Sequence, residues 1–187
     1  SNDNWAQSAN SAEIVNSGVA PTNPSESAIL MSLAPGSYTA VLSGVNETIG
    51  TAVVEVYDLD GGADSRLANI STRAFVQSGD NVLIGGMIVV GQSAADVIVR
   101  AIGPSLTVPG AMADPTLELR DANGILLSAN DNWRSNQEAA IIGTGVAPTR
   151  DAEAAIVASF PPGSYTAIVR GANGTSGVAV VEVYQLN

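Results

Sequence analysis

Serine is plentiful in this 187-residue chain, but histidine, cysteine and lysine are all missing. A serine nucleophile therefore lacks its ordinary activating base, and the commonest metal ligand and any thiolate site are gone as well. Carboxylates remain. Glu118 and Asp121 are near enough in sequence to suggest the acid pair of a glycosidase, but at strand spacing they fall on opposite faces. The chain is accordingly read as a non-enzyme. Asp58, Asp60 and Asp64 alternate around two glycines as calcium ligands do, with no bidentate glutamate at the distance an EF-hand loop needs. A solvated linker is the plainer reading, and calcium is the one cofactor these residues would admit. Asn2-Asp3-Asn4-Trp5 and Asn130-Asp131-Asn132-Trp133 set oxygen ligands beside an indole. Asp3, Trp5, Asp131 and Trp133 could hold a cation or face a sugar, but turn and capping chemistry with a packed Trp anchor explains them more simply. Asn46, Asn69 and Asn173 open N-glycosylation acceptor triplets.

Short strands must carry these groups. Thr51-Ala52-Val53-Val54-Glu55-Val56-Tyr57 puts Ala52, Val54 and Val56 on one face and Val53, Glu55 and Tyr57 on the other, the period-two pattern of a strand. Residues 178–184 repeat it. Residues 37–43 and 164–170 alternate likewise, and each leads into the next strand through a Gly-Asn turn that predicts a hairpin. Further strands are predicted over 28–33, 67–76, 81–90, 96–102, 116–120, 125–128 and 155–160. Brief helices are expected at 11–15 and 137–142. Strands at roughly ten-residue intervals, separated by Gly, Pro and Asn, indicate an all-β antiparallel sandwich of the immunoglobulin-like or jelly-roll-like kind.

The organisation is a repeat. Residues 130–184 copy residues 2–57: Pro35-Gly36-Ser37-Tyr38-Thr39-Ala40 returns as Pro162-Gly163-Ser164-Tyr165-Thr166-Ala167, and Gly50 as Gly177. Residues 61–128 occur once, so the chain reads as a back half, a front half and a second back half. The expected domains are a back half over 1–60, a linker over 61–64 and a complete sandwich over 65–187. The first back half has no front half within the chain, and its strands are expected to be completed by another subunit.

Composition narrows the partners. A net charge of −11 disfavours nucleic acid, which needs clustered Lys and Arg. No apolar stretch approaches a membrane span, so no membrane insertion is expected. The lack of an initiating Met or signal-like segment is what a processed or excerpted segment shows. Charged residues make up 13% of the chain and hydrophobic ones 45%, a surface inclined to associate. All seven basic residues are arginines, none within the first sixty residues; Arg134, Arg150 and Arg170 align with Ala6, Asn23 and Ser43. An acidic first segment meeting an arginine-bearing surface of the next subunit is the expected contact, with Val41, Val54 and Val56 buried at it.

Several stretches carry a resemblance: Ala68-Asn69-Ile70-Ser71-Thr72-Arg73, Ile98-Val99-Arg100-Ala101-Ile102-Gly103-Pro104-Ser105-Leu106, Asp114-Pro115-Thr116-Leu117-Glu118-Leu119-Arg120-Asp121 and the Pro-Pro-Gly-Ser-Tyr segment at 161–165. Together they resemble a β-rich repeat of large secreted and surface-anchored bacterial proteins. The resemblance implies an extracellular structural module and transfers no active site; in such a source the glycosylation triplets usually go unused. The expected function is an extracellular subunit that polymerises with itself, head to tail, by β-strand complementation. The alternative is a binding or spacer sandwich of a large surface adhesin, with carbohydrate as the ligand such a module would take.

Overall fold

The computed structural model describes residues 1–62 and 67–186, and the chain divides into two units, residues 1–67 and 68–187. Asp64 and the second half of the expected 61–64 linker lie outside the described residues. The first unit holds helix α1 (Ser11–Asn16); the second holds β1 (Asn69–Val76), β2 (Leu83–Val89), β3 (Ala95–Ile102), β4 (Pro115–Asp121), β5 (Leu126–Asn130), α2 (Glu138–Gly143), β6 (Ala154–Phe160), β7 (Gly163–Gly171) and β8 (Gly177–Gln185). These strands form two four-stranded antiparallel sheets, ordered β1-β8-β3-β6 and β2-β7-β4-β5. The second unit is an all-β sandwich.

Alternation builds its core. Leu117 and Leu119 of β4, Ala167 and Val169 of β7, and Ala179 and Val181 of β8 are buried between the sheets, while their sequence neighbours lie nearer the surface. Strand β3 departs from this pattern, with Ile98 buried as fully as Val97 and Val99. Its outer face is covered too: Ile98 joins Trp133, Ile141 of α2 and Ala155 in a second apolar cluster.

The Gly-Asn turn does not make the expected hairpin. Strands β7 and β8 lie in different sheets, and the turn passes the chain between them, with Asn173 at φ 54° and the Thr175 hydroxyl donating to the Ala172 carbonyl at 2.9 Å. The reason is that both are internal strands. β2 and β4 fill the edges of β7, β1 and β3 fill those of β8, and no edge remains for the two to share. Where an edge is free, a hairpin does form: β4 and β5 pair through a turn in which Asp121 Oδ1 accepts from the Asn123 and Ile125 amides.

The strands expected over 28–33, 37–43 and 51–57 are absent as ladders; these residues run without regular structure among the described residues. The alternating pattern is there, but every partner of β7 and β8 comes from the single-copy strands β1 to β4. A strand without a ladder keeps its amides in water and its apolar face exposed. Made alone, residues 1–60 are therefore expected to show no cooperative unfolding transition by circular dichroism, whereas residues 68–187 melt in one. A monomeric, cooperatively melting 1–60 fragment contradicts this.

Candidate assembly interface

The two back halves keep the same local chemistry. Trp133 Nε1 donates to the Arg150 carbonyl at 3.1 Å, and Trp5 Nε1 to that of Asn23 at 3.0 Å. Asn130 Oδ1 accepts from the Ala155 amide at 3.0 Å, and Asn2 Oδ1 from Ala28 at the same distance. The Tyr165 hydroxyl donates to the Pro161 carbonyl at 2.8 Å, and Tyr38 to Ala34 at 2.7 Å. Asn46, at φ 52°, repeats the turn of Asn173. These contacts, each made within a back half, are thus present twice.

Contacts made to the front half are present once. The fully buried carboxylate of Glu153 accepts through Oε2 from the Thr149 and Arg150 amides, and through Oε1 from the Ser105 amide at 3.0 Å and the Ser105 hydroxyl. Its counterpart Glu26 accepts only the local bond, from the Asn23 amide at 3.1 Å. Glu182 accepts from Arg100 Nε at 2.9 Å; the same guanidinium bonds the Val146 carbonyl, donates to the Tyr184 hydroxyl at 3.1 Å and lies 4.9 Å from that ring's centroid. Its counterparts Glu55 and Tyr57 bond one another at 3.1 Å, with no basic side chain in residues 1–60 to join them. Glu55 raises the Tyr57 pKa by accepting its hydroxyl and by its charge. Burial, then the Glu182 charge, raises that of Tyr184.

The apolar face tells the same story. Ile156, Val169 and Val181 are 1%, 0% and 2% exposed, whereas their counterparts Ile29, Leu42 and Val54 are 65%, 53% and 45% exposed. Burying such a side chain contributes about 1.5–3 kcal/mol, so the first back half forgoes the main stabilisation of its copy. The repeat aligns Val54 and Val56 with core-facing Val181 and Val183. It aligns Val41 with half-buried Ile168, and Leu42 with buried Val169.

The other candidates separate into local roles. Trp133 is buried against Ile98 and Ile141 as an anchor, with Arg134 stacked 4.1 Å over its ring. Asp131 and Asp3 each accept from the next asparagine side chain. Arg134 pairs with Asp151 at 2.7 Å and with Glu138 inside its own unit, and Arg150 serves through its main chain. Arg170 is half-buried, with Nη1 lacking a hydrogen-bond acceptor among the described residues. Glu118 is held by Arg120, and Asp121 caps its turn. Asp58 accepts from the Asp60 amide at 3.1 Å. Among the described residues no three acidic side chains gather as a metal site, and no helix is long and apolar enough to cross a membrane. Asn46, Asn69 and Asn173 are all exposed. Arg100 is one of the single-copy arginines, with Arg73 and Arg120, for which the sequence suggests surface exposure or structural pairing with carboxylates, and it pairs with Glu182. Ser105, Glu153 and Glu182 are the residues that sequence reasoning passed over. The signal was there: among the acids of the first copy, Asp3, Glu26 and Glu55 return as Asp131, Glu153 and Glu182, while Glu13, Glu47 and Asp58 become Ala140, Gly174 and Gln185.

No sequence profile of a protein family matches the chain, and no curated protein matches it. Among solved structures it is similar to the pre-peptidase C-terminal domain of a collagenase from Bacillus anthracis, at 12% identity and a TM-score of 0.40, over 62% of this chain and 88% of that one. The β-sandwich assignment rests on the ladders themselves.

Proposed function

We propose that the chain is a non-catalytic structural module of the extracellular surface, joined to a neighbouring unit by β-strand complementation through its first back half. The observation that supports this is residues 28–57, which repeat sandwich-forming strands, keep their local turns and leave their ladder edges and apolar face uncovered. Main-chain ladders give such a joint its affinity, and alternate side chains give it register. Repeated head to tail without closing, the joint makes a filament. The counting of halves favours a second reading. Each chain brings two back halves and one front half, so a front half that accepts a neighbour's first segment releases its own β6 to β8. A spacer sandwich in a longer array, completed by a further front half of the same kind, avoids that conflict. Electron microscopy and sedimentation of the purified chain distinguish the two: filaments support polymerisation, and monomers that take up front-half strands support the array. Monomers that refuse such strands contradict both.

A further inference from the structure

Resting on that reading, we infer that the first back half is built to receive one particular strand, a β3-type strand of a second unit with an arginine at the position of Arg100 and a serine at that of Ser105. In the second unit β3 lies between β8 and β6, pairing Arg100 with Glu182 on one side and with Ala155 on the other. The repeat turns these partners into Glu55 and Ala28. Three features of the first back half fit this occupant and are left wholly or partly unused within their own unit.

The first is a cation clasp. Val146, Glu182 and Tyr184 hold the Arg100 guanidinium, and Val19, Glu55 and Tyr57 are their counterparts in a segment that has seven acidic side chains and no basic one. A planar guanidinium suits a clasp of carboxylate, carbonyl and ring better than an ammonium does. The second is Glu26. Its matched carboxylate spends one oxygen on two local amides and the other on Ser105, and one bond of the local half is already made, by the Asn23 amide. The third is Gly50. A Cβ at its counterpart Gly177 would stand 2.7 Å from Met112 Cα, because the segment after β3 lies flat on that glycine, the Met112 amide donating to the Val178 carbonyl at 2.8 Å. Gly50 has nothing within 4 Å of the same point. It leaves room for a backbone that its own unit does not supply. Clasp, carboxylate and glycine all match one continuous stretch, residues 95–112, which commits the surface to that stretch rather than to an edge strand such as β1 or β5.

The test uses the full chain and a fluorescent peptide of residues 95–106, with binding read by anisotropy. The wild-type peptide is expected to bind. Glu55→Arg in the chain weakens it roughly 10- to 100-fold, the range of a hydrogen bond to a charged group. The Arg100→Glu peptide binds the wild-type chain as poorly and recovers on the Glu55→Arg chain, with an unchanged near-ultraviolet Trp133 signal showing that the second unit stays folded. Equal binding of the two peptides to the wild-type chain overturns the clasp and leaves strand complementation standing. Binding of neither overturns both.

Discussion

Replacing Glu153 by alanine is expected to destabilise the second unit by about 3 kcal/mol or more, whereas Glu26→Ala leaves its stability unchanged. Glu153 is fully buried and takes bonds from the Ser105 hydroxyl and amide and from the Thr149 and Arg150 amides. Hydrogen bonds to a charged group contribute about 1.5–3 kcal/mol each, and buried donors left unpaired add their desolvation. The two glutamates occupy matching places, and only Glu153 has a front half against it. Urea melts of the variants of the full chain, followed by the signal of buried Trp133, measure the difference. Equal losses in both variants would show that Glu26 is already enclosed.

Proline separates the copies still more sharply. Val181 lies in an internal strand, paired with Thr72 on one side and Ala101 on the other. Val181→Pro removes a ladder donor and leaves a buried group unpaired, which alone costs about 1–3 kcal/mol, a large part of the stability of a domain this size. Val54→Pro falls on a residue without a ladder partner, so the second unit should melt as the wild type does. Its effect should appear in assembly and in uptake of front-half strands, both of which it is expected to abolish. Unimpaired assembly of the Val54→Pro chain would mean that residues 51–57 do not form the joint.

Much of this was legible in the residues. Apolar patterning located β3, β6, β7 and β8 to within a residue of their ends: β7 and β8 alternate because each packs one face on a core, whereas β3 and β6, covered partly on both faces, carry runs of consecutive apolar residues. Strand order was not legible. Alternation in 164–170 and 178–184 is the same whether they pair with each other or lie in opposite sheets, and what decides is which single-copy strands take their edges. The same limit explains residues 28–57, whose pattern is that of strands and whose ladders are missing. Pairing of Arg100 with a carboxylate was legible, but its partner Glu182 was not, because the two are 82 residues apart and a bond across that separation leaves no local trace. Val41 is expected at the contact as an apolar residue of its strand; the copy places Leu42, one residue on, at the buried position of Val169. A one-residue step reverses the face of every side chain in a strand.

Amide hydrogen exchange of the dilute, monomeric chain tests most directly whether the first segment is a back half without its front half. The amides of residues 29–33, 37–43 and 52–57 are expected to exchange as freely as an unstructured chain, while their counterparts at 156–160, 164–170 and 179–184 are protected to the level of global unfolding. Protection in the first set should arise only on assembly or on addition of front-half strands. Matching protection of residues 52–57 and 179–184 in the isolated monomer would contradict the account.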